Sequence, residues 1–390
     1  MTGIAIIGAA RTPIGRVRGG LSEIRSDHLG AVVLNAVTDR AGVDPAEVED
    51  VVMGCVTAVG EQSGNIGRTS LLSAGWPESI PGTTVDRRCG SSEAAIHMGV
   101  GEIASGAFDI VAAGGAENMS RVKMGGNKEI YGEQFGWALQ ERFPQISQGE
   151  AAERIADKWG FGRDQLDDYA SESHRRAAAA TDAGYFDREI APVPVMQWRQ
   201  HDAVGTIESL SHDETIRRDT SREKLSGLKP AFRPDGKVTA GNSSQISDGA
   251  AAVLLMAEEN ARARGLKVRA RVRAVTTVGS DPTLMLLGPI AATAKVLSKA
   301  GLTLDDIDLF EVNEAFAPVP LVWMQETGVS FDKLNVNGGA IALGHPLGAS
   351  GARIMTSLLH EMERRGVRYG LQAICCAGGL GTATILERVD

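Results

Sequence analysis

Along this chain, short apolar runs rich in valine and isoleucine alternate with stretches whose apolar positions recur at the spacing of a helical face. The runs predict strands and the periodic stretches predict helices. Early on, the order is a strand at residues 4–7, a helix over 26–41, a strand at 51–53, a helix over 66–74 and a strand at 108–113. The rhythm returns later: a strand at 271–278, a helix over 290–300, a strand at 308–312, a helix from Phe316, a helix over 350–365, and strands at 371–375 and 382–387. Such alternation is the signature of an α/β fold, and its return predicts two halves of similar architecture. The halves share too little identity to form a sequence repeat.

Between them, residues 120–240 are more polar, with helical patterns at 149–159 and 163–180 and a basic stretch at 217–237. This segment reads as an insertion capping the first half, a natural place for a ligand. The apolar style resumes at residues 240–256, predicting a strand that rejoins the first half. The expected division is 1–119, completed by 241–268, for the first half, 120–240 for the insertion and 269–390 for the second half.

Composition narrows the class. The 390 residues are 43% hydrophobic and 23% charged, an ordinary globular balance, and the net charge of −9 argues against a nucleic-acid surface. The longest apolar run, residues 250–257, is far short of the ~20 needed to cross a bilayer. No signal-peptide pattern opens the chain, so the expectation is a cytoplasmic protein with no membrane partner. Four cysteines, Cys55, Cys89, Cys375 and Cys376, form no CxxC pair, which suggests neither a disulfide framework nor a metal site.

Three segments carry candidate chemistry. In NGGAIALGHPLGASGAR, residues 337–353, a single histidine, His345, stands in a frame of glycines and small residues, the setting of a built pocket. Pro346 biases His345 toward extended backbone and suits the first turn of a following helix, so a strand-to-helix junction is expected. Cys89 precedes Gly90, Ser91 and Ser92 at a predicted helix start, where the dipole and free amides would lower a thiol pKa. An inert buried cysteine is an equal reading of that motif alone. Asn313 and Glu314 fall at another strand-to-helix junction, where Asn313 could equally be a helix cap. Cys375 and Cys376 lead a strand into a glycine turn with their side chains on opposite faces.

Together, Cys89, Asn313, His345 and Cys375 resemble the active site of the thiolase family. The motifs AARTPIG, GGAENMS (114–120), SSQISDGAAAV (243–253), NEAF, GHPLGASG and the final cysteine-glycine turn extend the resemblance over essentially the whole chain. It implies an α/β fold of five layers, α-β-α-β-α, made of two similar halves with an inserted loop domain. It implies that Cys89 accepts the acyl group, that His345 activates it, and that Cys375 moves the α-carbon proton. Asn313 would hold a water with His345, and the amides of Cys89 and Ala377 would receive the oxyanion. Ser244 would touch the pantetheine of coenzyme A and Arg217 its adenine end. Coenzyme A is then a co-substrate, with no permanently bound cofactor, no metal and no nucleic acid. The implied activity is cleavage of 3-oxoacyl-CoA in β-oxidation, by a homodimer or homotetramer that could work with β-oxidation partner proteins. The alternatives are a biosynthetic acetoacetyl-CoA thiolase and a CoA-thioester-binding subunit without turnover.

The chain departs from the family pattern at Glu93, a carboxylate one turn from Cys89 that would oppose a thiolate unless it points away or is paired. Ala377 replaces a glycine. Cys376 makes a doublet with Cys375, and the closing glycine pattern favours Cys375 as the reactive member. Ser147 and Gln148 stand where biosynthetic relatives tend to have histidine and methionine, which points toward the degradative branch and bulky or steroid-derived acyl groups.

Overall fold

The computed structural model describes residues 3–128, 132–198 and 208–389. Its ten strands are β1 (Ile4–Arg11), β2 (Gly15–Arg16), β3 (Asp50–Gly54), β4 (Gly82–Val85), β5 (Ile110–Asn118), β6 (Ser247–Ala257), β7 (Ala270–Gly279), β8 (Leu309–Val312), β9 (Tyr369–Cys376) and β10 (Leu380–Glu387). They hydrogen-bond in the order β4-β3-β5-β6-β1-β7-β10-β9-β8, with β2 attached to β6.

The repeated architecture is visible in the pairing. In the first half β4, β3 and β5 are parallel, while β6 runs antiparallel between β5 and β1. In the second half β8 and β9 are parallel, and β10 runs antiparallel between β9 and β7. A parallel bridge from Phe310 to Leu334 marks the place that β4 fills in the first half. The halves join where β1 meets β7 through two pairs, Ala5 with Arg271 and Ile6 with Ala270. β6 is buried at every residue, which explains the unbroken apolar run that predicted it.

Helices supply three further layers. Helices Ser91–Ala104 and Ser350–Arg365 lie in the middle, where Ala95, Ile96, Met355 and Leu358 share one apolar cluster with Ile6 and Val111 of the first half and Val272 and Leu386 of the second. Helices Ser26–Ala41 and Ile66–Ser73 cover the outer face of the first half. Helices Gly288–Ala300 and Pro318–Thr327 cover that of the second. The result is the five-layered α-β-α-β-α arrangement.

The inserted segment straddles both halves, and its two longer helices do not sit on the first. Ala151 and Ile155 of helix Gln148–Lys158, with Leu166 and Tyr169 of helix Arg163–Asp182, enter the core containing Phe310, Val312 and Val319 of the second half. Val193, Val195 and Leu210 join the first-half core instead. Arg11 of β1 fastens the insertion from below: its guanidinium is fully buried, bridges Glu189 and binds both oxygens of Asp213, at 2.7 and 2.9 Å.

Candidate active site

Cys89 is presented by a braced turn. Arg88 before it adopts the left-handed region at φ 51°, uncommon for a residue with a side chain. The Ser91 hydroxyl accepts from the Arg87 amide at 2.9 Å and donates to the Arg88 carbonyl at 2.6 Å, holding that conformation. The helix begins at Ser91 with Gly90 as its cap. The amides of Cys89 itself and of Ala377 bond toward the sulfur, so two backbone donors converge there.

The expected depression of the Cys89 pKa is overturned. Cys89 is 5% exposed, and burial pushes its thiol up to about 12, against the downward pull of those amides and of Arg88. Desolvation of a thiolate outweighs the partial charges of a helix start. The resting group is a thiol, and it needs a base.

His345 is placed to be that base. It lies between the short helix Ala340–Leu343 and helix Ser350–Arg365, so the predicted strand-to-helix junction is a helix-to-helix junction. Gly344 turns the chain at φ 88°, where a Cβ would stand 2.7 Å from the Ser247 hydroxyl. The His345 amide donates to the Gln245 carbonyl at 3.1 Å. Its ring Nδ1 lies 2.6 Å from the Ser350 hydroxyl, which itself donates to the Pro346 carbonyl at 2.8 Å. The serine therefore accepts from Nδ1–H, and this network assigns the tautomer that leaves Nε2 as the acceptor. Burial, and then the charge of Arg353, lower the His345 pKa to about 3. The imidazole is neutral at physiological pH.

Asn313 Nδ2 lies 3.4 Å from His345 Nε2. Its Oδ1 is buried with no protein partner among the described residues. The helix after β8 starts only at Pro318, so Asn313 is not its cap. Its neighbour Glu314 anchors the region from the inside, accepting from Tyr169, Ser173, Asn335 and the Ile341 amide at 2.7–3.1 Å.

The cysteine doublet divides as strand alternation requires. Cys376 is shut against Gly90, where a Cβ would come within 2.7 Å of its sulfur. Both sulfurs are fully buried, and burial followed by the charge of Cys89 raises the pKa of each, so it is position on the strand that separates them. Glu93 points away from Cys89: its carboxylate accepts from Thr382 and Thr384 of β10 at 2.5 and 2.6 Å. Burial raises its pKa to about 7.

Cys89, His345, Ala377 and Ser244 line one cavity of about 480 Å³, with Met119, Met285, Phe316 and Leu347 among its apolar walls and Ser147 and Gln148 on its rim. Arg217 stands apart, in an adjoining cavity of about 190 Å³ beside Lys224; Gln245 lines both. The Arg217 amide donates to His174 Nδ1 at 3.1 Å. Among the described residues no cluster of histidine, cysteine or carboxylate side chains could hold a metal ion, and no helix is long and apolar enough to cross a membrane.

Two positioning residues escaped the sequence reading. Ser350 gave no signal beyond a small residue at a helix start. Glu117, buried at the end of β5, accepts from the amides of Val56, Thr57 and Gly348 at 2.8–2.9 Å and so seats the His345 loop on the first half. Its presence in GGAENMS, a motif of uncharged neighbours, was the available hint.

A family model described as the N-terminal domain of thiolase matches residues 4–259, and one described as the C-terminal domain of thiolase matches residues 266–388. A steroid 3-ketoacyl-CoA thiolase of Mycobacterium tuberculosis is 44% identical, over 100% of this chain and 95% of that protein. A 3-ketoacyl-CoA thiolase of Serratia proteamaculans is 44% identical over 100% of both. The crystal structure of the Bacillus anthracis acetyl-CoA acetyltransferase superposes with a TM-score of 0.91 at 37% identity, covering 100% of this chain and 99% of that one.

Proposed function

Because the chain belongs to the thiolase family, we propose that the Cys89 cavity cleaves 3-oxoacyl-CoA with coenzyme A, giving acetyl-CoA and a shortened acyl-CoA. One observation carries the reading: a thiol, a neutral imidazole whose Nε2 carries the lone pair and two converging amides meet at one cavity, with Asn313 Nδ2 at 3.4 Å from that nitrogen.

His345 takes the Cys89 proton, and the thiolate attacks the 3-oxo carbon. The oxyanion forms where the Cys89 and Ala377 amides point, an arrangement in which each donor is worth ~2.7–4 kcal/mol. As the carbonyl re-forms, the bond between the α- and β-carbons breaks and its electron pair passes to the enolate of acetyl-CoA. His345 and Asn313 face the enolate oxygen, and Cys375 gives its proton to the α-carbon. Coenzyme A then attacks the acyl-enzyme, its thiol proton restoring Cys375 while the imidazolium returns a proton to Cys89. Every group ends as it began. Ser244 contacts the pantetheine, and Arg217 stands toward the adenine end.

The test is acetyl-CoA release from a series of 3-oxoacyl-CoA substrates, with mass spectrometry of the Cys89 peptide. Turnover with an acylated Cys89 is expected, and Cys89→Ala should lose both. An acylated intermediate in the absence of Cys89 would sink the mechanism, and a marked preference for acetoacetyl-CoA would favour the biosynthetic reading. No acyl-enzyme at all would leave a binding subunit.

A further inference from the structure

The catalytic cavity has an uneven charge. In a chain of net charge −9, its walls carry two cations, Arg88 and Lys128, and no carboxylate among the described residues. Arg88 is adjacent to the nucleophile, and among the described residues its guanidinium makes one bond, from Nη1 to the half-exposed Asp86 at 3.3 Å, leaving its other nitrogens free. The Lys128 stem packs over Gly125, and its ammonium has no partner among the described residues. Both residues also line a second adjoining cavity of about 290 Å³, together with Asn127, Gln134 and, among the described residues, one acidic residue, Glu133.

This second side cavity shares no residue with the one at Arg217 and Lys224. The main cavity therefore adjoins two smaller ones, each lined by cations, and its own walls include Met119, Met124 and Phe135. On the thiolase reading coenzyme A brings its own phosphates to the side at Arg217, which leaves the side at Arg88 and Lys128 for the acyl chain.

We propose that the acyl group accepted by this enzyme ends in a carboxylate, held by Arg88 and Lys128 where the main cavity adjoins its neighbour. The substrate class is the 3-oxo-dicarboxylic acid mono-CoA thioester; the proposal deepens the thiolase reading above and rests on it. A guanidinium with Nε and Nη2 free and an ammonium without a partner, both among the described residues, supply the charge-assisted donors such a group needs. A terminal methyl would leave Lys128 without a counter-charge among the described residues and Arg88 with Asp86 alone.

Paired substrates test this: 3-oxoadipyl-, 3-oxosuberyl- and 3-oxosebacyl-CoA against 3-oxohexanoyl-, 3-oxooctanoyl- and 3-oxodecanoyl-CoA. At one length or more, kcat/KM should favour the carboxylate by at least about tenfold, the effect of one charge-assisted bond. That ratio should fall toward one in Arg88→Leu and in Lys128→Met, be largely kept in Arg88→Lys, and decline in the wild type as salt is added. Using the ratio within each variant removes any effect of Arg88 on Cys89. Methyl-ended substrates cleaved equally well or better at every length would overturn the proposal, as would a ratio unmoved by both charge removals. Loss of turnover on all substrates would instead strike the thiolase reading itself, and the proposal with it.

Discussion

His345 Nδ1 and the Ser350 hydroxyl lie 2.6 Å apart, and because the serine donates onward to Pro346, its oxygen can only accept from the ring. One small side chain thus fixes which imidazole nitrogen is free to take a proton. Ser350→Ala leaves a buried N–H without a partner and frees the ring to choose its tautomer. Thiolysis should slow by about 10–100-fold, corresponding to the ~1–3 kcal/mol of an unsatisfied buried donor. Steady-state kinetics at saturating coenzyme A measure it; a rate within twofold of wild type would refute the assignment.

The cysteine doublet predicts a split between two half-reactions. Cys375→Ala should stop exchange of the acetyl-CoA α-protons with deuterated solvent while still permitting acylation of Cys89. Cys376→Ala should retain exchange, since its sulfur is closed off behind Gly90. Proton NMR of acetyl-CoA in D2O follows this directly, and the reverse pattern would exchange the two roles.

Glu93 predicts a pH-dependent stability difference. Its folded pKa, about 7, is raised from 4.5, so the native state holds its proton more tightly than the unfolded chain does. Its contribution is fully present below pH 4.5 and is lost as pH rises through about 7. Glu93→Gln does not titrate, so relative to wild type it should gain stability across that window, by about 3 kcal/mol at most. Urea unfolding at pH 5 and pH 8 reads the difference, and a variant whose offset from wild type is the same at both would contradict it.

Arg11 predicts a stability loss far from the chemistry. Arg11→Met strands the carboxylates of Glu189 and Asp213 in a site where they were 1% exposed, so about 3–5 kcal/mol should be lost. The midpoint of urea unfolding would register that, and an unchanged midpoint would mean that the buried cluster relaxes.

What the sequence made legible followed from local pattern. Apolar period and length placed both sets of strands and the helix at 26–41, and glycine density singled out His345. Features decided by distant partners were hidden. The direction of Glu93 depends on Thr382 and Thr384, nearly three hundred residues away in the chain. The Cys89 pKa depends on how completely the packed chain excludes water, which no motif encodes, and a helix end alone predicts the opposite sign. Chain order predicts the two long helices of the insertion on the first half, and nothing in their amphipathic pattern says that the neighbours of Ile155 are Phe310 and Val312.

The seam between β1 and β7 is only two residue pairs long, yet Cys89 comes from one side of it and Asn313, His345 and Cys375 from the other. Activity is therefore a gauge of how the halves are docked. A substitution that loosens the middle helices, such as one at Met355, could leave both sheets folded, with an ordinary far-ultraviolet spectrum, and still silence the enzyme. Inactive variants of this kind would map the alignment of the two halves rather than the reacting groups.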